Sequence, residues 1–394
     1  MRFFPLFSVW GQSSLNPVEK EKLKLPELPQ TMLRATAQAN EQVDYTKGTF
    51  IVNEDWFGHQ NSTVNFLSDD GKWTLRLSRK KTPVTSWDVP ANSVRFTEIG
   101  SISFPKQEKD PGATVIGSRL AVIDAKTMKV LKEFTRIGDS DGRSFLGVDE
   151  HTGYIGTSNG IFLYDIDKME IGERITGTEN TSGSLYSAQI GTMIRVGDRV
   201  FAVHQKDGLL VIDAKTHTLE TTILKPEEHE GHGLGSIVLS KDGTIWASPT
   251  VELTGTGASL PLIWKVDPTT LTVQQVDIPT ASGIEEIPNS WYAWTADGFC
   301  ASTKENKIYW KGQGTGSWFT GYKIFCYDID KNEFYKVFDF GKVEGDWRLY
   351  GTGFRIDPVS DDMYCFWYHE FLNPEHELAV VATDGRGEKN GTIK

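Results

Sequence analysis

One motif recurs along the chain: an alternating apolar strand that ends on aspartate, then a turn, then a second amphipathic strand. Five clear copies are flanked by two weaker ones, which start at Ser62 and Glu377, so the chain holds seven copies. The clear copies end their first strand at Asp124, Asp165, Asp213, Asp267 and Asp328. Because the copies follow one another at intervals of about 40–60 residues, the sequence predicts a repeat architecture rather than several unrelated domains.

Each repeat contains enough strand for a four-stranded sheet. Val, Ile, Leu and Phe alternate with polar residues at the period of two that a half-buried strand requires. Another hairpin, with Asp-Gly or Gly-Asp at its tip, precedes the motif, as in residues 192–204 and 236–248. The aspartate that ends each strand is expected to accept hydrogen bonds from backbone N–H groups two residues later. We predict an all-β fold, a seven-bladed β-propeller with four antiparallel strands per blade, formed by residues 48–394 after a polar linker at 1–47.

The repeat pattern fails between residues 76 and 105, where blade two should place its inner strands. With ordinary codons, residues 83–105 can be encoded by DNA whose neighbouring frame reads GHELGCTSQFGTIYGDRIYFVS, which would supply the missing strand, Gly-Asp turn and strand. We hypothesise a compensated pair of frameshifts here, and a genuine insertion is the alternative. Blade two is expected to be defective, because strand register depends on every second residue. Ring closure is also expected to be defective, because little outer strand follows Asp384.

Charge and composition argue against several classes of partner. Lys and Arg number 41 against 53 Asp and Glu, which gives a net charge of −12 at pH 7. Nucleic acids and anionic membranes need a cationic face, so neither is expected to bind. No run of about 18 apolar residues offers a membrane-spanning helix. The N-terminus, with an apolar patch broken by Pro5, shows neither a clear signal peptide nor a cysteine for lipidation.

The three cysteines, Cys300, Cys326 and Cys365, each lie in an apolar and aromatic run. Their spacing contains no CxxC pair that would indicate a metal or redox site. Thiols in such surroundings are typically inert and buried. The sequence therefore predicts three buried strand thiols.

The blade repeats, together with GTFIVNEDWFGHQNSTVNFL at residues 48–67, resemble the YncE-like propeller lipoproteins of gut bacteria. The stretch NEDWFGH within that segment is similar to the cobalamin-binding surface propellers of the BtuG type. The resemblance covers roughly residues 47–385. It implies a protein of the cell surface or periplasm that captures a corrinoid and passes it to a TonB-dependent outer-membrane transporter. Apart from that transporter, we expect a monomer.

The loops that a propeller gathers at one face are unusually aromatic in this sequence. Glycines such as Gly312, Gly314 and Gly351 flank them and would let the backbone approach a ligand closely. A large, planar, partly apolar ligand suits such a face, and packing of the rings between blades is the alternative. The predicted ligand-binding residues are Trp56, Phe57, His59, Tyr186, His232, Trp291, Tyr292, Trp318, Trp347, Tyr350, Trp367 and Tyr368.

Two short segments raise the question of a metal. His229 and His232 lie three residues apart among glutamates, whereas the zinc motif HExxH needs a spacing of four on a helix. A solvated loop is the preferred interpretation of that segment. Asp139 and Asp141, beside Gly142, could supply oxygen ligands to Ca²⁺, although GDSDG is also an ordinary turn. We predict no resident cofactor, with a corrinoid as the expected ligand and Ca²⁺ as the weaker alternative.

No arrangement typical of an enzyme emerges. The chain lacks a GxSxG elbow in a strand-turn-helix context, a phosphate-binding glycine loop and a cysteine with an evident base. We therefore predict a non-enzymatic binding protein. Two alternatives are a propeller hydrolase or lyase, such as a lactonase, with a metal in the channel, and a surface propeller that binds proteins and no small ligand.

Overall fold

The fold is known from a computed structural model, and it consists of β-strands joined by turns and loops. The structure describes residues 2–3, 43–53, 63–74, 95–96, 101–105, 118–140, 142–179, 189–252, 259–288, 298–312, 320–339, 347–369 and 376–381. Within these ranges the helical residues belong to two single 3-10 turns, Pro226–Glu228 and Thr280–Ser282. No helix in the same ranges is long and apolar enough to cross a membrane.

The first part of the chain contributes two four-stranded sheets. Sheet 1 consists of β1 (Arg2–Phe3), β2 (Gly48–Asn53), β3 (Thr63–Ser68) and β4 (Trp73–Thr74). Sheet 2 consists of β5 (Arg95–Phe96), β6 (Ser101–Pro105), β7 (Leu120–Asp124) and β8 (Val130–Phe134). The strand β1 lies within the segment expected to be a linker, and it pairs in parallel with β2. Tyr45, from the same expected linker, is buried against Phe50 and Phe66.

Five further sheets follow between Gly142 and Val381, and each is antiparallel throughout. Sheet 3 consists of β9 (Gly142–Gly147), β10 (Thr152–Thr157), β11 (Gly160–Asp165) and β12 (Glu170–Arg174). Sheet 4 consists of β13 (Ile190–Val196), β14 (Arg199–His204), β15 (Gly208–Asp213) and β16 (Thr218–Ile223). Sheet 5 consists of β17 (His232–Leu239), β18 (Ile245–Glu252), β19 (Leu262–Val266) and β20 (Val273–Asp277).

The last two of these sheets are linked through a short strand. Sheet 6 consists of β21 (Phe299–Ala301), β22 (Lys307–Lys311), β24 (Lys323–Asp328) and β25 (Glu333–Asp339). Sheet 7 consists of β23 (Thr320–Gly321), β26 (Trp347–Ile356), β27 (Met363–His369) and β28 (His376–Val381). The strand β23 leaves the loop of sheet 6 and pairs with β26, so it supplies an edge of the neighbouring sheet.

The first strands of successive sheets lie side by side. The strand β9 lies beside β13, β13 beside β17, and β17 beside β21. In sheet 7 the corresponding strand is β26, which lies beside β21 and carries the two-residue strand β23 on its edge. Radial sheets that meet along their first strands form a propeller. The all-β propeller predicted from the repeats is therefore confirmed.

The predicted number of regular blades is not established by the structure. Sheets 3 to 7 give five consecutive antiparallel blades, whereas sheets 1 and 2 border residues 75–94, which lie outside the described residues. The two strands next to that gap, β4 and β5, have two residues each. The expected defect in blade two, and the segment from which a frameshift was inferred, therefore fall mainly outside the described residues.

The hydrophobic core lies between neighbouring sheets, because each strand sends alternate residues to opposite sides. In β14, Val200 and Ala202 pack toward sheet 3. Phe201 and Val203 of the same strand pack toward sheet 5, where Trp264 is almost fully buried. Burial of one such side chain stabilises the fold by roughly 2–3 kcal/mol.

The repeated aspartates hold the turns between the third and fourth strands. Asp213 Oδ1 accepts hydrogen bonds from the backbone N–H of Lys215 at 2.8 Å and of Thr216 at 2.7 Å. Asp124 and Asp267 likewise accept from the residue two positions later, as predicted. At Asp165 and Asp328 the backbone donor is instead three positions later.

These turns share a backbone conformation that the sequence did not indicate. The residue four positions after the aspartate is left-handed although it is not glycine, and the backbone N–H of His217, for example, donates to Asp213 O at 2.9 Å. In the turns between the third and fourth strands these residues are Met128, Met169, His217, Leu271 and Asn332, and Asp361 has the same conformation four positions after Asp357, in the turn between β26 and β27. A non-glycine residue in the left-handed conformation costs about 1–2 kcal/mol. The hydrogen bonds of the turn must offset that strain at each of the six positions.

Candidate ligand-binding face

The two faces of the propeller differ in the length of their connections. One face, called the turn face, carries the short connections between strands 1 and 2 and between strands 3 and 4, such as residues 197–198 and 214–217. The other, called the loop face, carries the connections between strands 2 and 3 and between successive sheets. Three of the connections that join strands at the loop face are much longer than the turns, at residues 175–189, 278–298 and 312–322. Since long loops on a rigid scaffold commonly carry function, the loop face is the candidate site.

The turn face is occupied by structural bonds between sheets. Arg199 of sheet 4 donates to the backbone carbonyls of Pro268 at 3.2 Å and Thr269 at 2.9 Å in sheet 5. Asn306 of sheet 6 donates to Asp242 of sheet 5 at 3.2 Å. Side chains that join blades in this way position the scaffold rather than a ligand.

Most of the predicted aromatic site lies outside the described residues. That part of the prediction comprises Trp56, Phe57, His59, Tyr186, Trp291, Tyr292 and Trp318. Four other predicted residues, Trp347, Tyr350, Trp367 and Tyr368, belong to strands of sheet 7. Strand register places them together at the loop-face end of that sheet, because Arg348 is opposite Tyr368 and Leu349 is opposite Trp367.

His232, the remaining predicted ligand residue, begins the first strand of sheet 5 at the loop face. Its side chain is buried, and Nδ1 donates to the backbone carbonyl of Thr250 at 2.9 Å. Because a carbonyl can only accept, the proton lies on Nδ1 in the neutral ring. His232 therefore orients the start of β17 and the end of β18 relative to each other.

The neighbouring His229 packs on an aromatic ring. Its imidazole lies against Trp264, with ring centroids 4.6 Å apart, and burial lowers its pKa. A 3-10 turn, Pro226–Glu228, precedes it, where the zinc motif would need a helix. Among the described residues, no group of three His, Cys, Asp or Glu side chains is placed to hold a metal ion.

The aspartate considered for calcium makes an ion pair instead. Asp139 Oδ1 lies 3.2 Å from Arg174 Nη1, and its Oδ2 accepts a hydrogen bond from Asn159 at 2.9 Å. Asp141, the second predicted ligand, lies outside the described residues. Asp139 thus joins the start of sheet 3 to the outer strand of the same sheet.

The predicted strand thiols are confirmed for all three cysteines. Cys300, Cys326 and Cys365 are buried in the core between sheets 6 and 7. Burial raises the pKa of Cys326 to about 12, which keeps it a thiol at neutral pH. Such cysteines are packing residues.

A buried carboxyl lies at the base of two aromatic loops, and sequence reasoning missed it. Glu286 precedes the segment that contains Trp291 and Tyr292, and Lys323 Nζ contacts its Oε1 at 3.2 Å. Burial raises the pKa of Glu286, and the ammonium of Lys323 opposes that shift. A methyl group at Gly312 would lie 2.3 Å from Glu286 Oε2, so this carboxyl fits only against a glycine.

A second buried polar group at the loop face lies between sheets 3 and 4. Arg143 Nε, on the first strand of sheet 3, donates to Gln189 Oε1 at the start of sheet 4. His204 ends the second strand of sheet 4, and its Cα is paired with Ile190 beside Gln189. All three side chains are buried, His204 and Gln189 completely. The contact between Arg143 and Gln189 could not be predicted from the sequence, because the two residues are 46 positions apart and become neighbours only when the sheets stack.

The radial sheets define a β-propeller. Its turn face is held by bonds between sheets, and its loop face is the candidate ligand-binding site. The chain belongs to the family described as "Domain of unknown function (DUF5074)", which matches residues 47–390. No curated protein matches it.

Several solved structures are similar to the chain in fold. The extracellular domain of BT4673 from B. thetaiotaomicron is 13% identical, with a TM-score of 0.51 over 77% of this chain. The extracellular domain of BT3049 from B. thetaiotaomicron is 14% identical, with a TM-score of 0.49 over 78% of this chain. The matches cover 33% and 35% of those chains, respectively. The Neurospora crassa Pan2 WD40 domain is 13% identical, with a TM-score of 0.47, over 76% of this chain and 81% of its own. At such identities the likeness concerns the fold alone.

Proposed function

We propose that the protein is a non-enzymatic binding propeller that captures a planar macrocycle of the corrinoid class at its loop face. The observation that carries the proposal is the asymmetry of the two faces. Short aspartate-held turns occupy one face, and the long connections that contain most of the predicted aromatic residues join strands at the other. A ring of seven blades, completed by sheets 1 and 2, would bring those connections around one axis.

The size of the aromatic set suits a large flat ligand. Three or four rings that each cover about 150 Å² contribute roughly 10 kcal/mol before ordering costs, which corresponds to a dissociation constant of tens of nanomolar. The backbone of sheet 7 supports this arrangement, since it places Trp347, Tyr350, Trp367 and Tyr368 at the same end of the sheet. By family resemblance the protein acts outside the cytoplasm, where it passes the ligand to a TonB-dependent transporter.

Equilibrium titration of the full chain with cyanocobalamin, followed by calorimetry, tests the proposal. We expect a dissociation constant below about 1 µM. Trp291→Ala and Trp318→Ala should each weaken binding about tenfold or more, because each removes a large apolar contact. Val359→Ala, at a residue 57% exposed on the turn face, is the control and should leave the affinity unchanged.

Two results would reject the proposal. Absence of cobalamin binding at micromolar concentrations removes the macrocycle, and equal affinities of the tryptophan variants and the control place the ligand elsewhere. A hydrolytic activity that a chelator abolishes would instead favour the alternative of a propeller hydrolase with a channel metal.

A further inference from the structure

The segment that leads into one aromatic connection is fixed on sheet 6 before that connection begins. Residues 278–288 precede Trp291, and Ile284 of this segment is buried in the same hydrophobic cluster as Trp310 of β22. The indole Nε1 of Trp310 donates a hydrogen bond to the backbone carbonyl of Glu286 at 3.2 Å. The backbone at Glu286 is therefore held by the core of sheet 6.

A second aromatic loop, residues 312–322, is closed at its base. The backbone N–H of Gly312 donates to the carbonyl of Lys323 at 3.0 Å. A Cβ added at Gly321 would collide with the carbonyl oxygen of Gly312, so the two ends of the loop lie in direct backbone contact. Trp318 belongs to this loop. Because its ends are tied together, the base of the loop can be displaced only as a unit.

The carboxyl of Glu286 contacts both ends of that base. Its Oε1 lies 3.2 Å from Lys323 Nζ, and a Cβ added at Gly312 would meet its buried Oε2. The side chain is 9% exposed, and an ion pair that is partly removed from water is stronger than one in bulk solvent. Glu285 also pairs with Lys323, at 2.7 Å, but it is exposed. Of these two neighbouring glutamates, Glu286 is the one that packs on Gly312.

The same loop also holds the end of the next sheet. Its strand β23 pairs with β26, with Thr320 opposite Tyr350 and Gly321 opposite Leu349. Leu349 in turn is opposite Trp367 of β27. The register of β26 against β27 shifts between Leu349 and Phe354, which separates the loop-face end of sheet 7 from its turn-face end. The position of β23 therefore acts on the loop-face end of the sheet first.

We propose that Glu286 is a positioning residue that couples residues 278–288, the loop 312–322 and the loop-face end of sheet 7. The ligand-related part of this inference rests on the proposed function, because each of the three segments carries predicted ligand-binding residues. Segments that are positioned before binding lose less conformational freedom when a ligand arrives, so the coupling strengthens binding without contact between Glu286 and the ligand.

Hydrogen exchange of the full chain without ligand, followed by mass spectrometry of overlapping peptides, tests the coupling. In Glu286→Ala we expect exchange at residues 320–323 and 347–350 to become at least about threefold faster, because local opening of β23 becomes easier. The matched control is Glu285→Ala, which removes a carboxylate from the same lysine but not from Gly312. The control should change the exchange rates less than half as much.

Two reference regions separate positioning from general loss of stability. Residues 354–356, at the turn-face end of the same strand β26, and residues 199–204 of sheet 4 should keep their exchange rates in Glu286→Ala. A merely structural role would accelerate exchange in these regions as well.

A conservative variant provides a second arm. Glu286→Gln keeps the shape that packs on Gly312 and an acceptor for Lys323, so its exchange rates should lie between those of the unchanged protein and Glu286→Ala. If Glu286→Ala fails to fold, Lys323→Met replaces it and removes the other member of the ion pair. Its control is Lys336→Met, because the Lys336 ammonium pairs with Glu285 and Asp339 instead.

Titration with cyanocobalamin gives the functional readout. The affinity should fall about fivefold or more in Glu286→Ala and less than twofold in Glu285→Ala. The proposal is overturned if exchange at residues 347–350 is unchanged in Glu286→Ala, or if it rises equally in the reference regions. Coupled exchange without cobalamin binding by the unchanged protein would reject the macrocycle and keep the coupling, so the two proposals fail separately.

Discussion

Asp361 of sheet 7 accepts a hydrogen bond from Ser302 of sheet 6, with 2.7 Å between Oδ2 and Oγ. Its other oxygen, Oδ1, accepts from the backbone N–H of Thr303 at 2.7 Å. Both Asp361 and Ser302 are buried at the turn face. The hydroxyl of Thr303 also donates to Oδ1, at 3.2 Å. One carboxylate thus joins two blades through three donors, at a position whose backbone is left-handed with φ of 66°.

Replacing this carboxylate should weaken the contact between blades. Asp361→Gly removes all three hydrogen bonds and tolerates the left-handed backbone, so it isolates the loss of the acceptor. We expect the free energy of unfolding to fall by about 2 kcal/mol, measured by urea denaturation. Asn332→Gly, at a left-handed and exposed position in the β24–β25 turn of sheet 6, removes a single hydrogen bond, from Tyr327 within the same sheet, so it serves as the comparison and should cost less than half as much. Equal losses in the two variants would show that the contact between blades contributes nothing.

A methyl group at Gly312 should disturb the base of the aromatic loops. In Gly312→Ala the new Cβ would lie 2.4 Å from Glu286 Cβ, so the carboxyl has to move. We expect a loss of about 1–3 kcal/mol in unfolding free energy, measured by denaturation. Gly147→Ala is the control, because its Cβ would meet nothing within 4 Å. If Gly312→Ala left the free energy of unfolding unchanged, Glu286 would not be held where the structure places it.

The turn aspartates should make the protein sensitive to acid. Backbone hydrogen bonds from Thr216 and Lys215 hold the pKa of Asp213 below its usual range, and Thr127 and Thr270 act in the same way on Asp124 and Asp267. A lowered pKa stabilises the fold above the unfolded value of about 3.9, and the stabilisation is lost as pH falls through the folded value. The melting temperature should therefore decrease as pH falls from about 5 to 3.

The variant Asp213→Asn tests that linkage. It should melt below the unchanged protein at pH 6, and the difference should shrink as pH falls below about 4 toward the lowered pKa of Asp213, where the folded carboxyl takes up its proton. Glu170→Gln removes one charge from an exposed strand end and serves as the control. A difference that stays constant across this range would contradict the assignment of the carboxylate as the acceptor.

The frameshift hypothesis makes a prediction about the gene and about the folded chain. The DNA should encode GHELGCTSQFGTIYGDRIYFVS in a shifted frame across residues 83–105. A chain that carries this segment in place of residues 83–105 should melt at least about 5 °C higher, because sheet 2 regains an alternating core face. DNA without that frame rejects the hypothesis, and an unchanged melting temperature would favour a genuine insertion.

The local structure could be predicted where short-range rules decide it. The alternation before Asp213 gave the strand β15, and the aspartate gave the turn, because both depend on residues a few positions apart. The burial of Cys300, Cys326 and Cys365 followed from the apolar runs around them. The left-handed residues, such as Leu271, could not be predicted, because glycine is the usual signal for that conformation.

The sequence by itself determined that the chain forms amphipathic strands in aspartate-closed hairpins, since period-two alternation and turn chemistry are local properties. Only the tertiary structure decided which side chains meet between blades. Arg143 contacts Gln189, and Asp361 contacts Ser302, across 46 and 59 residues of chain. Such contacts depend on how twisted sheets stack about a common axis, and no repeat in the sequence specifies that geometry.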